Sequence, residues 1–204
     1  MRRLIFVCVI VLAVGMISCK SAPKSEGEKS SELSKVYVTN TKKISLLPPD
    51  AIDGVVDTAQ LLQGKFGDQS FTLQAYIYAD ETSINMNLFN DFGTDMGYLF
   101  YDGENALFES AVFPPELPAE YIINDLQCAY YNAEKLKENF EASGLTFKNE
   151  MINFEVPHDE YGASVETRTI FSGKNKVAEI FIYGGTIKVV NILRGYEYVL
   201  NSFE

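Results

Sequence analysis

The chain has 204 residues, with 17 Lys and Arg against 28 Asp and Glu and a single His, so its formal net charge is -11. A nucleic-acid-binding protein needs clustered Lys and Arg to displace the counterions of the phosphate backbone, and we therefore expect no nucleic-acid partner. A single His also excludes zinc sites with several His ligands, and we expect neither a metal nor a cofactor. With 47% hydrophobic residues the chain can bury a sizeable core, and one domain is the default at this length.

A positively charged start is followed by an apolar segment at residues 4–17. This segment is shorter than the ~20 residues of a transmembrane helix and is typical of a secretory signal peptide. Residues 16–19, Met-Ile-Ser-Cys, resemble a bacterial lipobox, in which the Cys becomes the acylated first residue. The sequence therefore predicts a lipoprotein signal peptide at residues 1–18 and lipidation of Cys19. The alternative is an uncleaved anchor, or an ordinary signal peptide followed by a coincidental Cys.

The residues after Cys19 are mostly Lys, Ser, Glu, Gly and Pro as far as about Ser34, a composition that favours a flexible linker. We assign residues 19–44 to the acylated Cys and this tether. We expect a lipid-anchored protein of the bacterial cell envelope, with the membrane as its partner through Cys19. Lys20 and Ser21 follow the Cys in place of the Asp that retains many lipoproteins in the inner membrane. This favours the outer membrane, with the protein facing the periplasm.

Alternation of apolar and polar residues dominates the chain beyond the tether. Apolar residues at every second position predict strands, and Gly-containing turns between successive strands favour an antiparallel meander over a parallel sheet. Asp102-Gly103, for example, is a favoured hairpin turn. The predicted strands are residues 70–79, 84–88, 96–101, 106–112, 146–155, 163–172, 177–183, 187–193 and 196–202.

The middle of the chain shows helical periodicity instead. Apolar residues recur at helical spacing after Pro118, and Asn132 is placed to cap a second helix that ends before Gly144. Such helices must bury their apolar stripes against one face of the sheet. We therefore predict an α+β fold in a single domain at residues 45–204. It is a strongly curved antiparallel sheet, or half-open barrel, with two or more helices covering its concave face.

The helical region also carries a family resemblance. Residues 120–131, Glu-Tyr-Ile-Ile-Asn-Asp-Leu-Gln-Cys-Ala-Tyr-Tyr, resemble a motif of small bacterial lipoproteins of unknown function, some of them encoded beside aryl-polyene synthesis genes. The likeness covers about residues 45–201 and departs from the family at Tyr131, where a Trp is usual. More distantly, the expected fold is similar to that of the LolA/LolB group of lipoprotein carriers, which implies a half-open barrel that holds acyl chains. Further matching pieces are residues 46–49, residues 101–103, Arg168, Asn191 and residues 195–196.

The sequence offers little to support catalysis. Its one imidazole, His158, lies beside Pro and two acids before a Gly, which indicates an exposed turn rather than a general base. No Gly-x-Ser-x-Gly nucleophile elbow occurs. Acidic pairs such as Asp80-Glu81 lie at predicted turns, where solvated carboxylates are expected, and Asp91 with Asp95 lacks the closing Glu of an EF-hand loop. We predict that the protein is not an enzyme and has no catalytic residues.

Two classes of function remain open. The first is a lipid-anchored envelope protein that binds or carries a hydrophobic ligand, such as an acyl chain or a lipoprotein's lipid, between sheet and helices. The second is a non-catalytic structural or interaction lipoprotein that meets another envelope protein. Aromatic residues on facing elements fill a core in the second case and partly line a cavity in the first.

The first class predicts particular residues at the ligand site and at its surroundings. A Pro-rich loop at residues 111–118 carries Phe113 and Leu117, which we predict as contacts with a membrane or a partner. The residues predicted to line the cavity are Phe71, Leu73, Ile77, Met86, Leu88, Leu126, Tyr130 and Phe181.

Overall fold

The computed structural model describes residues 33–114, 117–154 and 163–203. The predicted signal peptide, Cys19 and His158 lie outside these residues. No helix within the described ranges is long and apolar enough to cross a membrane. The strands are β1 (Lys35–Tyr37), β2 (Lys43–Ser45), β3 (Val56–Phe66), β4 (Gln69–Ala79), β5 (Ile84–Phe89), β6 (Asp95–Tyr101), β7 (Ala106–Ser110), β8 (Thr146–Phe154), β9 (Ala163–Ser172), β10 (Asn175–Tyr183), β11 (Thr186–Asn191) and β12 (Tyr196–Ser202), and the helices are α1 (Ala119–Tyr130) and α2 (Ala133–Ala142).

Ten of the strands form one antiparallel sheet. Its order is β7-β6-β5-β4-β3-β12-β11-β10-β9-β8, while β1 and β2 pair in a separate hairpin. The strands β3 to β7 and β8 to β12 are therefore two meanders, which join where β12 pairs with β3. The strands β7 and β8 lie at the two edges, so the sheet is not closed. A mostly antiparallel sheet with two helices is confirmed.

The central strand β3 is absent from the sequence prediction, although it pairs with β4 along its whole length. Its inward positions include Gln60 and Gly64, which interrupt the apolar alternation that identifies a half-buried strand. Gln60 is tolerated there because its Oε1 accepts a 2.9 Å hydrogen bond from the hydroxyl of Tyr130. All nine predicted strands are present, and each end lies within two residues of the prediction.

The folded part begins before the predicted boundary at residue 45. The strands β1 and β2 pair through Val36 and Ile44, and both side chains are buried. Strands of three residues leave too short an alternation to be distinguished from a linker. The tether predicted for residues 19–44 therefore ends earlier, because residues 35–44 belong to the folded domain.

Both predicted helices are present and end where their flanking residues indicated. The Asn132 side chain accepts hydrogen bonds from the backbone N–H groups of Glu134 and Lys135, which starts α2. Gly144 follows α2 with a φ of 71°, a left-handed conformation that glycine adopts at little cost. Pro118 precedes α1 and provides no side-chain cap.

The two helices lie on the same face of the sheet. The Phe140 ring of α2 stacks on the Phe147 ring of β8, with 5.6 Å between centroids. Phe147 is opposite Ile170 in the ladder, so it shares a face with Arg168, two residues from Ile170. Arg168 donates hydrogen bonds to two backbone carbonyls at the C-terminal end of α1. The core between this face and the helices includes Ile123 of α1.

Candidate functional site

An apolar pocket lies between the N-terminal half of α1 and the centre of the sheet. Its cavity volume is about 60 Å³. The helix contributes Tyr121, Ile122 and Leu126, which face Leu62 of β3 and Leu200 of β12. The helical spacing of the three α1 residues and the inward phase of the two strands bring these side chains together. The pocket therefore forms where the apolar stripe of α1 does not completely fill the space above the sheet.

Several residues predicted to line a cavity lie in the wall of this pocket. Phe71, Met86 and Leu126 do so, and the two predicted contact residues, Phe113 and Leu117, lie there as well. Four other predicted residues belong to the core around it. Leu73, Ile77 and Leu88 are buried, and Tyr130 is half-buried and packs against the same core.

The prediction that Phe181 lines the cavity is wrong. Ile180 is buried among the core residues, and successive side chains of a strand point to opposite faces, so Phe181 lies on the face away from the helices. Both faces of β10 carry apolar residues. A β-bulge between Lys176 and Ala178 also shifts the alternation. The sequence alone therefore left the inward phase of this strand undecided.

A buried polar cluster borders the pocket. Asp125 of α1 is only 6% exposed, and its Oδ2 accepts a 2.6 Å hydrogen bond from the hydroxyl of Tyr196 in β12. Tyr198 also lies near this carboxyl group. The Asn191 Nδ2 donates to the Tyr196 hydroxyl over 3.1 Å. The cluster ties α1 to the central strands beside the cavity.

The burial of this cluster changes its titration. Burial raises the pKa of Asp125 to about 7, although the hydroxyls of Tyr196 and Tyr198 and the charge of Arg194 act in the opposite direction. Burial and the nearby carboxyl group raise the pKa of both tyrosines, so their hydroxyls remain protonated hydrogen-bond donors. A buried carboxyl with a raised pKa beside an apolar pocket is a frequent mark of a functional site.

Sequence reasoning missed Asp125 as a site residue. The signal was present, because a carboxylate occupies the apolar stripe of α1 between Ile122 and Ala129. Its hydroxyl partner, Tyr196, comes from β12, some seventy residues later in the chain. Only the register of the sheet shows that Tyr196 and Tyr198 meet this position, so the cluster is a product of the tertiary fold.

The chemistry that this site offers is mainly apolar. The thiol of Cys128 on α1 is buried, and burial raises its pKa, which keeps it protonated and weakly nucleophilic. Within the described ranges, no group of three or more His, Cys, Asp and Glu side chains is placed to hold a metal ion. The arrangement suits the binding of an apolar group against α1.

A second pocket adjoins the first beside the β3–β4 turn. Its cavity volume is about 230 Å³, and Gln69 and Val112 lie in its wall. The rings of Phe66, Phe71 and Phe113 line both pockets, which therefore meet at these three side chains. The two cavities together form a groove that leads from the end of the sheet toward α1.

The same end of the sheet exposes large apolar side chains. Phe92, in the connection between β5 and β6, is 94% exposed. Phe66 at the end of β3, and Ile192 and Leu193 between β11 and β12, are also exposed. The register places these positions at one end, because Phe66 is opposite Tyr196, which follows the β11–β12 connection. A row of apolar side chains thus follows the edge at which the groove opens.

The two ends of the sheet differ in charge. At the apolar end, the β3–β4 and β5–β6 connections contain one Asp each, and the β9–β10 and β11–β12 connections contain Lys174 and Arg194. At the opposite end, the β4–β5 turn (residues 80–83) and the β6–β7 turn (residues 102–105) contain two acids each and no Lys or Arg. The acidic excess of these connections therefore lies away from the groove.

A family model described as "Protein of unknown function (DUF3261)" matches residues 57–204. The match begins inside β3 and includes both helices, the lining of both pockets and the polar cluster around Asp125. No curated protein matches the chain.

Proposed function

We propose that this protein, which belongs to the DUF3261 family of proteins of unknown function, is a lipid-anchored envelope lipoprotein that binds or carries an acyl chain or a similar hydrophobic ligand. The main observation in support of this proposal is the apolar pocket between α1 and the sheet. Pockets that are mostly apolar, with a few convergent polar groups, are the default ligand sites of proteins. A curved, half-open barrel of the LolA/LolB kind is the architecture that we propose around this site.

The size of the pocket sets a condition on this function. A cavity of about 60 Å³ is well below the roughly 300–1,000 Å³ of typical ligand pockets. It accommodates the end of a chain, and the adjoining cavity of about 230 Å³ accommodates a further part. A longer ligand requires α1 or residues 111–114 to move outward. Each methylene that leaves water contributes about 0.8 kcal/mol, which favours this opening.

The substitution Ile122→Trp tests the pocket directly. Ile122 is half-buried and faces the pocket, so a larger ring there occupies the ligand site with a limited effect on the core. Among the residues that the structure describes, the buried core and pocket residues lie at Val36 or beyond, so residues 20–204 contain the whole described fold. We expect this chain to bind a fluorescent fatty acid, and we expect the variant to bind it about tenfold more weakly, a loss of ~1.4 kcal/mol.

Leu107→Trp is the matched control, because it introduces the same ring at an exposed position of β7. Its affinity for the fluorescent fatty acid should equal that of the wild type. If Ile122→Trp binds the probe as tightly as Leu107→Trp does, the ligand does not occupy the pocket beside α1.

We also propose that acyl chains on Cys19 anchor the protein, in the outer membrane facing the periplasm, and that the apolar end of the sheet faces the bilayer. The exposed Phe92 and the loop residues Phe113 and Leu117 lie at this end, where the groove opens. The acidic turns lie at the other end, which reduces repulsion from anionic lipids. This orientation lets an acyl chain pass between the membrane and the groove without crossing water.

Two substitutions test the contributions of the lipid anchor and of the apolar end to membrane binding separately. Cys19→Ser should abolish stable membrane attachment and leave weak binding to phosphatidylcholine vesicles, measured by sedimentation. Adding Phe92→Ser should lower this residual binding several-fold, because one exposed aromatic ring leaves the contact. Phe203→Ser, which removes an exposed Phe from the opposite end, is the matched control and should have no effect. Equal effects of Phe92→Ser and Phe203→Ser would contradict the orientation, and undiminished attachment of Cys19→Ser would contradict the anchor.

The alternative is a non-catalytic structural or interaction lipoprotein with an envelope protein as its partner. One observation favours it: among the described strands, the edge strand β8 pairs with β9 alone, and its Met151 and Ile152 side chains are exposed. Edge strands of this kind can accept a further strand from a partner. This alternative predicts that neither the wild type nor Leu107→Trp takes up the fluorescent fatty acid.

A further inference from the structure

The position of Phe71 depends on a glycine in the neighbouring strand. Phe71 of β4 is directly opposite Gly64 of β3. A Cβ atom placed on Gly64 would lie 2.3 Å from the Cζ atom of Phe71, far inside van der Waals contact. The Phe71 ring therefore lies across the backbone of β3, in space that only glycine leaves open. Close approach to Phe71 explains the glycine, because its backbone is not in the left-handed region.

A second aromatic ring holds Phe71 from the other side. The rings of Phe71 and Phe113 meet edge to face, with 4.8 Å between centroids, and Phe113 meets Phe108 of β7 at 5.6 Å. Edge-to-face contacts of this kind stabilise one ring orientation over others. Gly64 below and Phe113 beside it thus fix Phe71 at a defined place in the groove.

That place is the boundary between the two cavities. Phe71 and Phe113 line both the pocket of about 60 Å³ beside α1 and the pocket of about 230 Å³ beside the β3–β4 turn. A chain that enters from the end of the sheet meets this ring pair before it reaches α1. We propose that Phe71 limits the length of the apolar chain that the protein accepts, because its ring narrows the passage between the two cavities. This inference rests on the proposed function.

The test compares binding of straight-chain fatty acids, from octanoic to octadecanoic acid, by residues 20–204 and their variants. Phe71→Ala widens the passage between the cavities, so we expect its preference to shift to longer acids, with about tenfold tighter binding of octadecanoic acid than the wild type shows. Gly64→Ala displaces the Phe71 ring into the groove and should shift the preference to shorter acids. Phe181→Ala removes an aromatic ring from the opposite face and should reproduce the wild-type profile.

Phe71→Leu is a second variant that tests the same role if Phe71→Ala does not fold. It keeps an apolar side chain at this position while removing the far part of the ring. Its preference should fall between those of the wild type and Phe71→Ala. A chain-length profile that is identical in the wild type, Phe71→Ala and Phe71→Leu would overturn the role of Phe71 and leave the proposed function intact. If none of these chains binds any of the acids, the proposed function itself fails.

Discussion

Replacing Arg168 with Met is expected to lower the free energy of unfolding by roughly 3 kcal/mol, because the substitution leaves several buried groups without partners. The Arg168 Nη1 donates to the carbonyl oxygens of Cys128 and Tyr131, over 3.0 and 2.8 Å. Its Nε lies 2.8 Å from a carboxylate oxygen of Glu166. The guanidinium group thus provides hydrogen-bond donors for carbonyls at the C-terminal end of α1. A positive charge there also interacts favourably with the negative end of the helix dipole.

Urea unfolding, followed by circular dichroism, measures this effect. Lys188→Met is the matched control, because Lys188 forms a cross-strand ion pair with Glu197 over 3.1 Å in which both partners are solvent-exposed. Such a pair contributes at most about 1 kcal/mol. Arg168→Lys keeps the charge but not the fork of donors, and it should recover only part of the loss. Equal urea midpoints for Arg168→Met and Lys188→Met would show that Arg168 does not hold α1 in place.

The Asp125→Asn variant should remove a dependence of stability on pH that the wild type shows below neutrality. The pKa of Asp125 is about 7 in the fold against 3.8 for an unperturbed Asp, so the folded chain retains a proton that the unfolded chain has lost. Between these values the unfolded state binds fewer protons, and the free energy of unfolding falls as pH rises. Over about three pH units, Asp125 changes the free energy of unfolding by roughly 4 kcal/mol at most.

Other groups with shifted pKa values titrate outside this pH range. Tyr196 and Tyr198 titrate above their ordinary range, because burial raises the pKa of both. Hydrogen bonds lower the pKa of Asp80 and Asp102, so their stabilisation is lost only in more acidic solution. Urea unfolding from about pH 4 to about pH 8 should show a declining stability for the wild type and a nearly level one for Asp125→Asn. Parallel curves for the two chains would contradict a buried, partly protonated carboxyl group.

How much of the fold could be read from the sequence depended on local periodicity. The hairpin of β4 and β5 was predictable because their apolar residues alternate without interruption. The strand β3 was not, since Gln60 and Gly64 occupy inward positions for reasons that lie in other elements: a hydrogen bond from Tyr130 and the ring of Phe71. These two residues are understandable only once their tertiary neighbours are known.

The residues of the candidate site also differ in whether local periodicity predicts them. Phe71 and Met86 were predictable as inward residues of alternating strands, and both lie in the pocket wall. Phe181 was misplaced because β10 is apolar in both phases and contains a bulge. The pairing of Asp125 with Tyr196 joins residues far apart in the chain, and no local pattern in the sequence encodes it.

Native mass spectrometry of residues 20–204, purified from cells without detergent, tests directly whether the protein binds a hydrophobic ligand. We predict that the wild type and Leu107→Trp carry additional mass corresponding to a bound lipid, and that Ile122→Trp carries much less. The bare protein mass for all three chains, together with no uptake of the fluorescent fatty acid, would contradict hydrophobic-ligand binding and favour a structural or interaction lipoprotein.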